Sequence, residues 1–126
     1  DFNTDAEKSY EALIVEDDLD ICYLVSGILK QKNLQSNYVN SLSDAVKYLS
    51  EHTPDILILD NHLPDGLGVD FISYLKTNYP DVHIIMITAH DTHPDRINAL
   101  NKGADYFLCK PFTRAAMNAT LDNFIN

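Results

Sequence analysis

PDILILDNHLPDGLG, residues 54–68, is the stretch on which the reading of the whole chain turns. Residues 56–59 are four consecutive branched apolar side chains with no polar alternation. That pattern marks a strand covered on both faces, as in a parallel sheet. Pro54 opens the stretch, and a loop carrying Pro64, Gly66 and Gly68 closes it. Asp60 therefore falls at the carboxyl end of a buried strand, where open α/β sheets hold their ligands. A lone Asp in that position does no more than cap a loop, so its meaning depends on what the other strands bring to the same edge.

The pattern repeats on both sides. Upstream, Ala12, Leu13, Ile14 and Val15 form a short apolar strand that ends on Glu16, Asp17 and Asp18. Ile21, Leu24, Val25, Ile28 and Leu29 then recur at helical spacing over residues 19–32. Residues 35–39 fit a second strand, and Ser41 or Ser43 caps a helix carrying Ala45, Val46, Tyr48 and Leu49. Downstream of Gly68, Val69, Phe71, Ile72 and Leu75 mark a helix ending near Tyr79-Pro80. Residues 82–87 form another branched apolar strand that runs into Thr88. Pro94 suits the first turn of a helix reaching about Asn101, which Gly103 terminates. Residues 106–109 make a fifth strand ending at Lys110-Pro111, and a last helix is expected over residues 113–125. Five strands alternating with five helices predict an α/β fold, a parallel sheet with right-handed crossovers and helices on both faces. Residues 1–9 read as a flexible lead-in and residues 10–126 as one domain.

Composition narrows the function. The chain has 126 residues, enough for one core, with 45% hydrophobic and 22% charged side chains. Nineteen acidic residues against 9 basic give a net charge of −10. That balance argues against a nucleic-acid surface and favours cations or basic partner surfaces. No apolar run approaches the roughly 18 residues needed to cross a bilayer. Cys22 and Cys109 are too few for a disulfide framework and read as inert buried thiols of a reducing, cytoplasmic protein.

Four strand ends carry polar groups: Glu16 and Asp17, Asp60, Thr88 and Lys110. Parallel strands deliver all of them to one edge. Converging carboxylates repel, and a hard divalent cation such as Mg²⁺ offsets that charge while keeping several waters. Lys110 adds a second positive charge and Thr88 a hydroxyl. Together these groups suit phosphoryl transfer, with Asp60 as the nucleophile.

With these residues in place, the chain resembles the receiver domains of two-component response regulators over residues 11–125. The resemblance rests on LIVEDD, LILDNHLPDGLG, IIMITA and GADYFLCKPF, in that order. It implies the flavodoxin-like strand order 2-1-3-4-5 and a phosphoacceptor signalling role in a phosphorelay. Asp60 would take phosphate from a phosphohistidine of a sensor histidine kinase or histidine phosphotransfer protein. It implies Mg²⁺ held by Glu16, Asp17, Asp60 and the backbone carbonyl of His62. Thr88 and Lys110 would contact the phosphoryl oxygens, and Thr88 and Phe107 would form the switch. It further implies a cis bond before Pro111 and a homodimer through the face made by the fourth helix, fifth strand and fifth helix. Tyr106, next to Phe107, leaves open which ring moves. His62 and His90 fall at the variable positions flanking the phosphoryl site, where they either slow hydrolysis or are simply solvated with no role. Asp18 reads as a helix cap rather than a ligand.

Other classes fit less well. A flavodoxin-like electron carrier needs a phosphate-cradling Ser/Thr/Gly loop where this chain has Glu16, Asp17 and Asp18. An aspartyl phosphatase usually places a second acid two residues after the nucleophile, and here that residue is His62. A pseudo-receiver that only binds partners would not need the full set of polar groups.

Overall fold

The computed structural model describes residues 9–89 and 92–125. The lead-in expected at residues 1–9 lies outside it except for Ser9, and His90 lies outside it as well. The elements run β1 (Glu11–Val15), α1 (Leu19–Gln31), β2 (Gln35–Val39), α2 (Leu42–Leu49) and β3 (Ile56–Asp60). They continue with β4 (His62–Leu63), β5 (Gly66–Leu67), α3 (Gly68–Asn78), β6 (His83–Thr88), α4 (His93–Lys102), β7 (Tyr106–Cys109) and α5 (Arg114–Leu121). The main sheet has five strands in the order β2-β1-β3-β6-β7, all pairs parallel. Counting only these strands, the order is 2-1-3-4-5, as the resemblance implied.

Period-two alternation within the central strands divides the core into two layers. Leu13, Val15, Leu57, Leu59, Ile84 and Met86 face α2, α3 and α4, meeting Ala45, Leu49, Phe71, Ile72, Leu75 and Ala99. Ala12, Ile14, Ile56, Ile58, Ile85 and Ile87 face α1 and α5, meeting Cys22, Val25, Ile28, Leu29, Met117 and Leu121. All five residues of β3 are buried, which explains its unalternating sequence. The polar strand QSNYV of β2 takes the edge, where one side faces solvent.

Local chemistry sets the helix ends. Asp18 caps α1 by accepting from the Asp20 N–H, and Ser41 rather than Ser43 caps α2 by accepting from Asp44 N–H. Gly103, at φ 122°, ends α4 in a conformation other residues resist. The Lys110–Pro111 bond is cis, as expected.

Two differences stand out from the sequence reading. The 61–67 loop contains a small antiparallel hairpin, with His62 opposite Leu67 and Leu63 opposite Gly66. The final helix stops at Leu121 instead of reaching residue 125. There the Asn123 side chain donates to the carbonyls of Ala119 and Thr120, and the Phe124 N–H bonds only three residues back, to Leu121. Asn thus takes over the terminal carbonyls and tightens the last turn. Phe124 still packs, 4.4 Å from the ring of His83 and 5.4 Å from that of Tyr106.

Candidate phosphoryl and metal site

Sheet register brings the polar strand ends side by side. Val15 pairs with Leu59, so Glu16 emerges next to Asp60. Asp60 pairs with Ile87, and Thr88 with Cys109, which is followed by Lys110. The Lys110 N–H donates to the Thr88 carbonyl at 2.7 Å, extending the ladder to the rim.

At that rim, one carboxylate oxygen from each of Glu16, Asp17 and Asp60 lies within 4.8 Å of the others. Glu16 is fully buried and Asp60 nearly so, whereas Asp17 is exposed. Lys110 Nζ sits 2.6 Å from Glu16 Oε1 and 3.2 Å from Asp60 Oδ1. Among the described residues, buried Oε1 has this ion pair with Lys110 and no hydrogen bond besides. Its sister oxygen accepts from the Asp18 N–H at 3.1 Å. Burial pushes the Glu16 carboxyl up to about 7, against the lowering pull of Lys110 and the Asp18 N–H. For Lys110, burial alone lowers the ammonium, but the contact with Glu16 and the charges of Asp60 and Glu16 outweigh it and hold it above its usual value.

An under-bonded buried carboxylate oxygen among three converging acids is a donor set for a hard cation. The all-oxygen chemistry fits Mg²⁺. Glu16, Asp17 and Asp60 would hold it, and its charge would offset that of a phosphoryl group.

Thr88 is buried and lines a cavity of about 30 Å³ together with Asn61, Val69, Met86, Ala99 and Phe107. Phe107 is only 7% exposed, whereas Tyr106 lies at the surface against Phe124. Of the two rings, Phe107 is the one that shares a cavity with Thr88. It is already enclosed: the Arg96 guanidinium lies 4.9 Å over its ring and donates to the Phe107 carbonyl at 3.3 Å. His62 is exposed on β4. Cys22 is buried and donates its S–H to the Glu16 carbonyl at 3.3 Å, while Cys109 is only half-buried, which corrects the expectation of two buried thiols.

Sequence reading passed over several residues that shape the rim. Asn61 accepts the Gly68 N–H on its carbonyl at 2.7 Å and the Val69 N–H on its side chain at 2.9 Å. Gly68 is required because a Cβ there would lie 2.2 Å from the Asp60 carbonyl oxygen. Asn40 donates to the Glu16 carbonyl at 2.8 Å. Asp65 accepts the N–H groups of Leu42 and Ser43, both at 2.9 Å. An Asn or Asp in a loop usually reads as turn chemistry, and only the fold reveals these partners.

Residues 12–122 match the family described as "Response regulator receiver domain". The phosphate regulon transcriptional regulatory protein PhoB of Escherichia coli is 37% identical over 103 residues, covering 80% of this chain and 45% of PhoB. The luminescence regulatory protein LuxO of Vibrio campbellii is 33% identical over 112 residues, covering 89% of this chain and 25% of LuxO. The chain thus spans less than half the length of these relatives. Among solved structures, the beryllofluoride-activated NtrC4 receiver domain dimer superposes with a TM-score of 0.86 at 34% identity, covering 90% of this chain and 93% of that one. With the family match running across nearly its whole length, this chain belongs to the receiver domains of response regulators.

Proposed function

We propose that this domain accepts a phosphoryl group on Asp60 from a phosphohistidine and thereby switches an output surface. An Asp60 carboxylate oxygen attacks phosphorus, the P–N bond to the donor imidazole breaks, and an acyl phosphate forms on Asp60. Glu16, Asp17, Asp60 and the His62 carbonyl would hold Mg²⁺, which would supply charge neutralisation at the phosphoryl oxygens. Lys110, 3.2 Å from Asp60 Oδ1, adds an ammonium, and the Thr88 hydroxyl donates to a phosphoryl oxygen. The convergence of three carboxylate oxygens within 4.8 Å, next to Lys110, is the observation that carries this reading.

Signal output follows from Thr88 and Phe107. Drawing the Thr88 hydroxyl toward phosphate enlarges the cavity they share and favours the enclosed position of Phe107, a shift between existing populations. The surface of α4, β7 and α5 changes with it and supports a homodimer. The cognate donor is a cytoplasmic sensor histidine kinase or histidine phosphotransfer protein, and the domain itself makes no nucleic-acid contact.

Incubation with Mg²⁺ and a small phosphodonor tests the reading. Stoichiometric labelling that requires Mg²⁺ is expected. Sustained release of phosphate would indicate a phosphatase, and absence of labelling a pure binding module.

A further inference from the structure

The first turn of α2 has an unusual source of caps. Helix N-termini leave four N–H groups without intrahelical partners. Here Asp44 N–H bonds the Ser41 hydroxyl, a local cap, and Ala45 N–H makes the first intrahelical bond, to the Ser41 carbonyl. The N–H groups of Leu42 and Ser43 go instead to the two carboxylate oxygens of Asp65, more than twenty residues away. These bonds hold the Asp65 carboxyl below its ordinary range. The neighbouring Gly66, at φ 152°, packs so closely on α2 that a Cβ would lie 3.1 Å from Leu42 Cδ1.

The tether matters because of what lies at its two ends. Asp65 is the tip of the hairpin that begins at His62, directly after Asp60 and Asn61. The far end of that hairpin is fixed to α3 through the Asn61 bonds to Gly68 and Val69. The segment just before α2 holds the other acidic strand end, since Asn40 donates to the Glu16 carbonyl. The start of α2 is thus bonded to both chain segments that border the metal site, one through Asn40 and the other through Asp65.

We infer that Asp65 is a positioning residue for the metal site: its carboxylate, locked on the α2 N-terminus, fixes the 61–67 hairpin relative to Glu16. The inference rests on the metal-dependent phosphoacceptor reading and extends it to a residue outside the ligand set. Asp65 touches neither metal nor phosphate, so its loss acts through the hairpin. Outer residues that orient a metal site are commonly worth about tenfold or more in affinity.

The test compares Asp65→Ala with Ser41→Ala by calorimetric titration of Mg²⁺ without phosphodonor. Amide exchange at Gly68 and Val69 is followed in the metal-free proteins. Both variants remove a cap from α2, so both lower the thermal midpoint, but only Asp65→Ala frees the hairpin. Asp65→Ala should bind Mg²⁺ about tenfold more weakly and exchange faster at Gly68 and Val69. Ser41→Ala should match the wild type in both, and Asp65→Asn, which keeps one acceptor, should fall between. Equal Mg²⁺ affinity in Asp65→Ala and wild type would overturn the inference alone. So would an equal loss in Ser41→Ala, which would make helix integrity the cause. A wild-type protein that takes up no Mg²⁺ would remove the metal reading and this inference with it.

Discussion

Glu16→Gln offers a quantitative probe, because the site is built at a cost to the metal-free fold. Glu16 is fully buried, and its carboxyl is pushed from 4.5 to about 7. Below about pH 4.5 it is neutral in folded and unfolded chains alike and has no effect on stability. As pH rises from 4.5 to 7, the unfolded chain ionises first, so the folded state loses stability across that window. Above pH 7 the loss is complete. The gap between 4.5 and about 7 corresponds to on the order of 3 kcal/mol. Glutamine removes this cost and leaves Lys110 paired with Asp60 at 3.2 Å. The pull of Lys110 is already contained in the value of about 7, so a net gain on the order of 3 kcal/mol at pH 8 is expected. For a domain of this size that is an increase of roughly 10 °C in Tm. Thermal unfolding followed by circular dichroism in EDTA, from pH 4.5 to 8.5, reads it directly. The two proteins should unfold together at pH 4.5 and separate as pH rises, with the variant more stable. Adding Mg²⁺ should stabilise the wild type, more strongly above pH 7 than below it, and stabilise the variant little. A variant less stable than wild type at pH 8 in EDTA would refute the reasoning, because the buried carboxylate would then favour the fold.

Three further substitutions or treatments test other parts of the account. Gly68→Ala forces a methyl to 2.2 Å from the Asp60 carbonyl oxygen and should destabilise by about 2 kcal/mol or more, read as a lower urea midpoint. Arg96→Ala removes the guanidinium over Phe107 and should lower the enclosed population of that ring, visible as shifted Phe107 resonances. Cys22, whose thiol is pushed up to about 11 by burial and then by nearby Glu16, should resist iodoacetamide in the folded protein and react only on unfolding. Peptide mass mapping would show the order in which the cysteines are alkylated.

The large features were legible because each rests on a strong local signal. Unalternating apolar runs ending in acids gave strands buried on both faces, and β1 and β3 are such strands. Parallel register then brings Glu16, Asp60, Thr88 and Lys110 to one edge with no further information needed. What escaped reading depends on bonds between distant segments. Asp65 reads as a turn residue until the α2 N-terminus is seen against it, and Asn61 until the start of α3 is. The shortened α5 shows periodicity misleading in the other direction. Phe124 and Ile125 continue a helical apolar pattern and reach the core, but Asn123 takes the terminal carbonyls and the chain turns. The placing of Arg96 over Phe107 was likewise invisible, since nothing in the sequence links α4 to that ring.

Reductive trapping shows which carboxylate of this chain takes the phosphoryl group. Borohydride converts an aspartyl phosphate to homoserine, marking the acceptor in a form that survives peptide mapping. After incubation with Mg²⁺ and a small phosphodonor, the homoserine should appear at Asp60, within residues 54–68. It should vanish in EDTA and in Asp60→Asn. Homoserine at Asp17 or Asp65, or trapping undiminished in Asp60→Asn, would exclude Asp60 as the acceptor.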